Sequence, residues 1–462
     1  MQERLSQVII SGLLLALVFT ALAHGTVEPW SVGIFRLLIA GLLALWGVSA
    51  LLEHRLALVV PAPFWPVAGL LCVGLAQSVA RPDAAGITRA LSVNVEATRA
   101  TVTTLACILA GGLLAATFLW GRRRMRAFHR LLTIYGLALA MLAIIQELAW
   151  NGSMYWIRPL TWEAPSVFGP FINHNHFAGY LELLAPLPVG LILTGVVRGP
   201  ERILFAFAAV LMGVAITLSL SRGGMISLGV EMLFLGWLGL RQARRREAAR
   251  ARGGEWRKTA SAQGLGQGLG GVFARTGSVA VLLAAMFVGV LWIDAEPVIR
   301  RVAKGQVAGQ IAGPDTETFF SSRGWIWRDT LKMIAARPLL GVGLGAYATA
   351  WPMYSESDEL NVSQAHNDYL QVLADTGLVG AALALCFLAL AFRAIWRASH
   401  AADPLIAGMA AGCGAALAGL LTHSVFDFNL QLPSTSLLFL VITAMVSNLA
   451  LMGGDDGRTG AG

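Results

Sequence analysis

Residues 203–240 read ILFAFAAVLMGVAITLSLSRGGMISLGVEMLFLGWLGL, two apolar runs with only the short segment SLSRGG between them. A helix needs roughly 20 predominantly apolar residues to cross a bilayer, and each run approaches that length. The stretch therefore predicts two membrane-spanning helices with almost no loop between them. It also places an arginine, Arg222, at the membrane boundary where the second helix begins.

The composition of the whole chain indicates the same class of protein. The 462 residues are 56% hydrophobic and only 13% charged, and the mean hydropathy is +0.67. These values are far from those of soluble proteins and predict an all-α polytopic membrane protein. The four cysteines show no paired spacing, so the sequence indicates neither a zinc knuckle nor a disulfide framework.

Apolar runs that approach the length of a membrane span occur throughout the chain. Their approximate ranges are 8–23, 31–52, 63–80, 101–120, 131–149, 176–196, 203–219, 223–240, 278–294, 377–397, 405–423 and 434–452. The twelve runs predict about twelve transmembrane helices. The count is approximate because the third run is short and only SLSRGG separates the seventh run from the eighth.

Basic residues set the orientation of these helices, because the loops on the cytoplasmic side carry more lysine and arginine. The run GRRRMRAFHR at 121–130 and the linker 241–277 lie on the same side as both termini, which we therefore expect in the cytoplasm. The net charge of +8 then reflects topology rather than binding of nucleic acid. Contact with anionic membrane lipids is the expected role of the basic linker.

This topology divides the chain into three parts. Residues 1–294 hold the first nine transmembrane helices and the basic cytoplasmic linker. Residues 295–376 form one large loop on the outward side, long enough to fold into a small helical unit. Residues 377–462 hold the last three transmembrane helices and a cytoplasmic tail.

The outward loop contains the segment SSRGWIWRDTLKMIAARPLLGVG, which predicts an amphipathic helix. The two serines at its start are capping residues, and Trp327, Leu331 and Ile334 recur at helical spacing. Pro338 is expected to end the helix. The following GVGLGAY is excluded as a dinucleotide site, because it lacks a glycine at the required offset and a preceding strand.

Two arginines on the outward side lie beside Ser and Gly at expected helix starts. Arg222 is either an interfacial residue that snorkels or an anion site, in which the next glycines and the helix N-terminus approach the ligand. Arg323 either pairs with Asp329 or Asp315, or binds an anion in the same way. Together the two arginines favour a phosphate or diphosphate site.

A polar cluster opens the sixth span, within PFINHNHFAGYLELLAPLP. The cluster consists of Asn173, His174, Asn175 and His176. Helix caps, inter-helix hydrogen bonds or sugar contacts are the expected roles, and no metal site is expected from two histidines at i and i+2. Glu182 lies one to two turns into the span. Its depth makes it a functional candidate, unless pairing with Arg36 makes it structural.

The segment AHNDYL at 365–370 gathers several groups that can handle protons. A helical projection places His366 on the apolar side, and Asn367, Asp368 and Gln371 on the side toward solvent or substrate. In a first helical turn, the helix field and apolar packing favour the neutral imidazole, which is the form that accepts a proton. Asp368 is a rival base, and spacing alone does not decide between the two.

The motifs together carry a resemblance to a known family. LSLSRGG, SSRGWIW followed by RPLLGVGLGAY, and AHNDYLQVLADTGLVG resemble the O-antigen ligase and polymerase superfamily in order and membrane placement. FINHNHFAGYLELL and HSVFDFNLQLPSTSLLF resemble further signatures of one branch of it. The resemblance extends over residues 150–450, and the first third of the chain is similar by topology only.

The resemblance implies a GT-C-like glycosyltransferase of the bacterial inner membrane with its active site facing the periplasm. Such enzymes take a glycan from an undecaprenyl-diphosphate carrier, without metal or other cofactor, in lipopolysaccharide or exopolysaccharide biosynthesis. The acceptor is a hydroxyl on lipid A-core or on another glycan repeat. A single displacement would invert the anomeric centre.

The resemblance also assigns roles to residues. By similarity, Arg222 and Arg323 hold the diphosphate and His366 activates the acceptor hydroxyl. The further expected substrate contacts are Asn367, Asp368, Tyr369, Arg328, Asn173, His174, Asn175, His176 and Glu182.

Two alternatives stay open. One is a protein O-oligosaccharyltransferase of the same superfamily. The other, from a different class, is a polysaccharide or lipid-carrier transporter without chemistry. A transporter of that kind is expected to show paired repeats or broken helices in corresponding halves, and the sequence indicates neither.

Overall fold

The computed structural model describes residues 2–82, 88–159, 167–253, 315–356 and 362–455. Within these ranges, ten helices are long and apolar enough to cross a membrane, and the only strands form two short hairpins. The architecture is therefore that of an all-α polytopic membrane protein, as predicted. The predicted span 278–294 lies outside the described residues, as do residues 254–277 of the predicted linker and 295–314 of the outward loop.

The N-terminal part up to the linker contains nine helices within the described ranges. The helices are α1 (Gln2–Leu22), α2 (Pro29–Glu53), α3 (Phe64–Gln77), α4 (Val95–Phe118), α5 (Arg122–Leu148), α6 (His174–Glu182), α7 (Pro186–Thr194), α8 (Gly199–Leu218) and α9 (Arg222–Gly253). The two hairpins are β1 (Ala80–Pro82) with β2 (Thr88–Ala90), and β3 (Ser153–Met154) with β4 (Arg158–Pro159). Each hairpin follows a helix that ends on the side predicted to face outward.

The C-terminal part adds one loop helix, one short helix and three long helices. They are α10 (Asp315–Ala336), α11 (Tyr347–Ala350), α12 (Asp368–Ser399), α13 (Pro404–His423) and α14 (Pro433–Asp455). Single 3₁₀ turns lie at Trp351–Met353 and Asn429–Gln431. Gly377 breaks α12 with a positive φ, so residues 368–376 form a short helix ahead of the membrane-length remainder. This break coincides with the predicted boundary between the outward loop and the tenth span.

The sixth predicted span is not continuous. A turn at residues 183–185 separates α6 from α7, and Pro186 starts the second piece in a position that tolerates a missing N–H. Apolar runs do not reveal a local turn of this kind, and one turn does not contradict the expectation that broken helices do not occur in corresponding halves of the chain. Residues 176–194 of this span are buried within the protein, and Gly190 of α7 lies against Gly408 of α13. Small residues at such a crossing let two membrane helices approach closely.

The segment GVGLGAY fixes the outward loop to the helices below it. Gly341 has a positive φ, and a Cβ at this position would collide with the backbone of Ala374 and Asp375 in α12. The side chain of Gln77 in α3 donates to the carbonyls of Leu340 (2.6 Å) and Asp375 (2.9 Å). The glycine-rich stretch is thus a tight crossing of two backbones, and its rejection as a nucleotide loop agrees with this packing.

Replacing Gly341 with alanine is expected to destabilise the protein. An alanine with this φ costs about 1–3 kcal/mol, and the collision with α12 adds to that cost. The melting temperature in detergent should fall clearly. Gly324→Ala is the matched control, because Gly324 lies in α10 with nothing within 4 Å of its added Cβ. Equal melting temperatures for the two variants would contradict the crossing as a stabilising contact.

Candidate functional site

Several helix ends meet at the segment 424–432, which joins α13 to α14 and is called the 424–432 connection below. Asn367 Nδ2 donates to Val425 O at 3.0 Å, and the backbone N–H of Asp368 donates to Ser424 O at 2.9 Å. The hydroxyl of Tyr369 donates to Leu421 O at 2.7 Å. The first turn of α12 is therefore bound directly to the end of α13.

Asp368 organises this connection from within. Its carboxylate accepts hydrogen bonds from the Ser424 hydroxyl (2.9 Å), the Leu430 N–H (3.1 Å) and the Gln431 amide (3.3 Å). The side chain is buried, so both oxygens are occupied by the protein itself. A carboxylate held by three donors is poorly placed to take a proton from a substrate. The three donors give Asp368 a role in holding the connection, and the choice between Asp368 and His366 as the base stays a prediction.

The predicted orientation of the 365–370 segment was wrong in two respects. Asn367, Asp368 and Gln371 are buried against the protein and do not face solvent, because they bond to the 424–432 connection and to the Ala365 N–H. The same projection places Tyr369 on the apolar side, opposite these three residues, but its side chain is 39% exposed. Helical periodicity gives the relative directions of the side chains but not which side packs against the protein, and α12 begins only at Asp368, so His366 is not part of it.

His366 lies outside the helix that the sequence predicted for it. Asn367 is the N-cap of α12, since its Oδ1 accepts from the N–H groups of Tyr369 (2.9 Å) and Leu370 (3.1 Å). His366 precedes the cap with a φ of 49°, in the left-handed region. This backbone turns the imidazole toward Asp427, whose Oδ1 lies 3.5 Å from Nδ1. The side chain is 34% exposed, so its other edge can be reached from outside.

Asp427 is the residue around which the polar groups gather, and the sequence analysis missed it. His366 Nδ1 and His176 Nε2 lie 3.5 and 3.9 Å from its Oδ1, and the Phe428 N–H donates to the same oxygen at 2.9 Å. Burial opposes ionisation of Asp427, but the imidazoles of His366, His176 and His423 outweigh it and hold the pKa of this carboxyl well below its usual range. In the sequence, the only indication of its role was that Asp427 is the one acidic residue of the segment HSVFDFN, which lies between two predicted spans.

Arg323 reaches the same place from the outward loop. Its guanidinium donates to the carbonyl of Phe426, the residue before Asp427. Burial lowers the pKa of Arg323 and the Asp427 carboxylate opposes that shift, so the guanidinium stays cationic beside the carboxylate. One turn farther along α10, Trp327 Nε1 donates to Ala365 O at 3.1 Å, which fixes α10 next to His366.

The predicted surroundings of Arg323 need correction. The helix begins at Asp315, so Arg323 lies within α10 and not at its N-terminus; no Gly or Pro between 315 and 323 interrupts the helix. Its predicted pairing with Asp329 is also wrong, because Asp329 binds Arg328 (3.2 Å) and Lys332 (2.9 Å) instead. Arg328 also contacts Glu356 at 2.9 Å on the surface. Its predicted role in substrate binding stays a prediction.

Arg222 is the first residue of α9, as the sequence predicted. Ser221 Oγ accepts from the Gly224 N–H at 3.1 Å and caps the helix. The next residue, Gly223, lies on the ring of His423, since a Cβ at Gly223 would be 2.6 Å from Cδ2 and Nε2. Arg222 is therefore adjacent to the end of α13, from which the 424–432 connection starts.

The polar cluster at the start of α6 divides into a cap and a site residue. Asn173 caps α6, since its Oδ1 accepts from the Asn175 N–H at 2.9 Å. His176 is buried beside Asp427, and its ring meets Phe428 edge-on with centroids 4.8 Å apart. Phe428 meets His366 in the same way at 4.9 Å. The ring of Phe428 therefore fixes both imidazoles around the carboxylate.

Glu182 has a different partner from the one expected. Its Oε1 lies 2.9 Å from His423 Nδ1, whereas Arg36 donates to Ala100 O and Thr104 Oγ1. Pairing with Arg36 was therefore wrong, and the structural interpretation of Glu182 gains a histidine as its partner. Among the described residues, no group of three or more His, Cys, Asp or Glu is placed to hold a metal ion.

The arrangement offers two chemical functions side by side. A partly exposed imidazole faces a buried carboxylate, which is the geometry that orients a histidine as a general base. One arginine lies on the same connection and a second lies next to its start, where they supply positive charge for an anion. The cluster of Asp427, His366, His176 and Arg323 is called the Asp427 cluster below.

Comparison with known proteins adds a family. A sequence model described as O-antigen ligase matches residues 207–385, a stretch that contains Arg222, Arg323 and His366 but not His176 or Asp427. The match supports placement in the O-antigen ligase and polymerase superfamily, in agreement with the resemblance of the motifs. No curated protein matches the chain.

Asp368→Ala is expected to loosen the 424–432 connection. The change leaves the buried Ser424 hydroxyl and two half-buried donors, the Leu430 N–H and the Gln431 amide, without this acceptor. An unsatisfied buried group costs about 1–3 kcal/mol. Amide hydrogen exchange of a peptide covering 424–432 should accelerate. Asp403→Ala is the control, because Asp403 caps the opposite end of α13 through the Leu405 N–H. Unchanged exchange in the Asp368 variant would contradict its organising role.

Proposed function

We propose that this protein transfers a glycan from an undecaprenyl-diphosphate carrier to an acceptor hydroxyl at the periplasmic face of the inner membrane. The observation that carries the proposal is the 3.5 Å approach of His366 Nδ1 to buried Asp427 beside Arg323. The family match supports a membrane glycosyltransferase of the O-antigen ligase or polymerase type. The donor, the acceptor and the face of the membrane are part of the proposal.

His366 acts as the base in this scheme. The Asp427 carboxylate attracts the proton of Nδ1, which leaves Nε2 unprotonated and able to accept. The exposed edge of the ring admits the acceptor hydroxyl. Nε2 takes the hydroxyl proton as the oxygen attacks the anomeric carbon, and the bond from that carbon to the diphosphate oxygen breaks. A single displacement of this kind inverts the anomeric centre.

The leaving group determines what else the site must supply. Undecaprenyl diphosphate is already a stabilised anion, so charge neutralisation matters more than protonation by an acid. Arg222 and Arg323 supply that charge, and a guanidinium contacts phosphate oxygens in a fork that lysine lacks. The guanidinium of Arg323 lies beside Asp427 and offsets its negative charge, which weakens the repulsion between Asp427 and the diphosphate.

The turn within the sixth span does not by itself amount to broken helices in corresponding halves of the chain, which a transporter of this kind would show. The site itself favours chemistry. A transporter for an anionic lipid needs cations, whereas the imidazole of His366 set against buried Asp427 is arranged as in an oriented general base. No contact of the described residues favours a protein acceptor over a glycan or lipid A-core acceptor.

His366→Ala is expected to abolish glycan transfer while the protein still inserts and folds, because the base is lost. Asp427→Asn should lower transfer strongly, since an amide no longer selects the required tautomer of His366. Transfer is measured with purified protein in liposomes that contain the lipid-linked donor. His400→Ala is the matched control, because His400 lies at the opposite end of α12. Full activity of His366→Ala would contradict the base assignment.

Arg222→Lys and Arg323→Lys are both expected to be poor substitutes, because forked contact with phosphate is lost. We expect weaker donor binding in each, measured by titration of undecaprenyl diphosphate. Arg337→Lys serves as the control, since Arg337 donates to Leu91 O on the surface. Wild-type donor binding in both variants would remove the diphosphate assignment.

The acceptor is identified by product analysis in a strain that lacks the protein. Loss of capped lipid A-core indicates a ligase, and loss of long polymer indicates a polymerase. Loss of protein-linked glycan would indicate the oligosaccharyltransferase alternative. Transfer that a chelator stops and zinc or magnesium restores would contradict the metal-independent scheme.

A further inference from the structure

A second pair of acid and histidine lies deeper than the Asp427 cluster, and the proposed chemistry does not use it. Glu182 at the end of α6 and His423 at the end of α13 are both buried, with Oε1 and Nδ1 2.9 Å apart. A buried carboxylate of this kind is costly in a membrane protein unless it is paired. Because the pair lies next to the Asp427 cluster, its contacts with the site residues need to be described.

The pair supports the first turn of α9. A Cβ on Gly223 would lie 2.6 Å from the ring of His423, and a Cβ on Gly224 would lie 3.2 Å from Glu182 Oε1. Real side chains do not fit at the first of these distances. The backbone that directly follows Arg222 therefore rests on the imidazole and carboxylate, and glycine is what permits the contact.

His423 also holds the turn to which Arg323 binds. Its carbonyl accepts from the N–H groups of Phe426 (2.8 Å) and Asp427 (3.1 Å). The carbonyl of Phe426 in turn accepts from Arg323. His423 thus contacts the helix start that carries Arg222 with its ring, and the turn that receives Arg323 with its backbone.

We infer that Glu182 and His423 are positioning residues that set the placement of Arg222 relative to Arg323. The inference rests on the proposed function, in which the two arginines bind one diphosphate. Forked phosphate contacts need fixed geometry, and a rigid pair beneath the helix start supplies it. Direct substrate contact by Glu182 is disfavoured, because the side chain is fully buried and its charge would repel a diphosphate.

Gly223→Ala tests the inference, because the new methyl group must displace the His423 ring. We expect the KM for the lipid-linked donor to rise on the order of tenfold to a hundredfold, with the KM for the acceptor unchanged. Gly229→Ala is the matched control in the same helix, since nothing lies within 4 Å of its added Cβ. A melting curve in detergent shows that each variant is folded.

A double-mutant cycle identifies His423 as the residue through which the effect passes. His423→Asn keeps an N–H donor near the position of Nδ1 for Glu182 and removes the part of the ring that touches Gly223. In that background, Gly223→Ala should raise the donor KM much less than in the wild type. Glu182→Gln, which keeps an oxygen acceptor for His423, should retain most of the transfer activity, whereas Glu182→Ala should show the raised donor KM.

The outcomes separate this inference from the proposed function. If Gly223→Ala matches Gly229→Ala while His366→Ala is inactive, the positioning role is wrong and the proposed function stands. Additive effects in the cycle would also overturn the inference. If His366→Ala and both arginine variants transfer glycan normally, the proposed function itself is wrong.

Discussion

The buried carboxylate of Asp427 is the constraint on which the rest of the site depends. An ionised acid in such a place is tolerated only when positive or polarisable groups surround it. Three helices supply them, with His176 from α6, Arg323 from α10 and His366 from the residue before the cap of α12. The charge therefore draws together elements that are far apart in sequence. The contacts that hold these elements together also arrange the groups that are proposed for catalysis.

Two further interactions hold the elements around this cluster in place. Asp368 holds the 424–432 connection in shape, and the Gly341 crossing holds the outward loop against α12. Neither residue needs to touch a substrate. Both matter because a loop that carries the proposed base and an arginine can act only if it adopts the same position in every molecule. In the inference above, the buried pair of Glu182 and His423 holds the start of α9 in place in the same way.

Much of this could be predicted from the sequence, and the failures have physical causes. Apolar runs located the spans because hydrocarbon thickness fixes their length, and Ser–Arg–Gly–Gly marked the start of α9 correctly. The orientation of 365–370 failed because periodicity does not show which side of a helix packs against the protein, and because α12 starts only after the Asn367 cap. Asp427 and His423 were missed because their contacts with His176 and Glu182 join residues far apart in the sequence, which periodicity does not reveal.

The left-handed backbone at His366 has an evolutionary consequence. Asparagine adopts this conformation about as readily as histidine, whereas most residues would strain the turn. The genetic code separates the two by a single nucleotide. We therefore expect that the substitution His366→Asn leaves the fold intact and removes the base. Under the proposed function, such a change would leave a protein that binds the same carrier lipid without transferring its glycan.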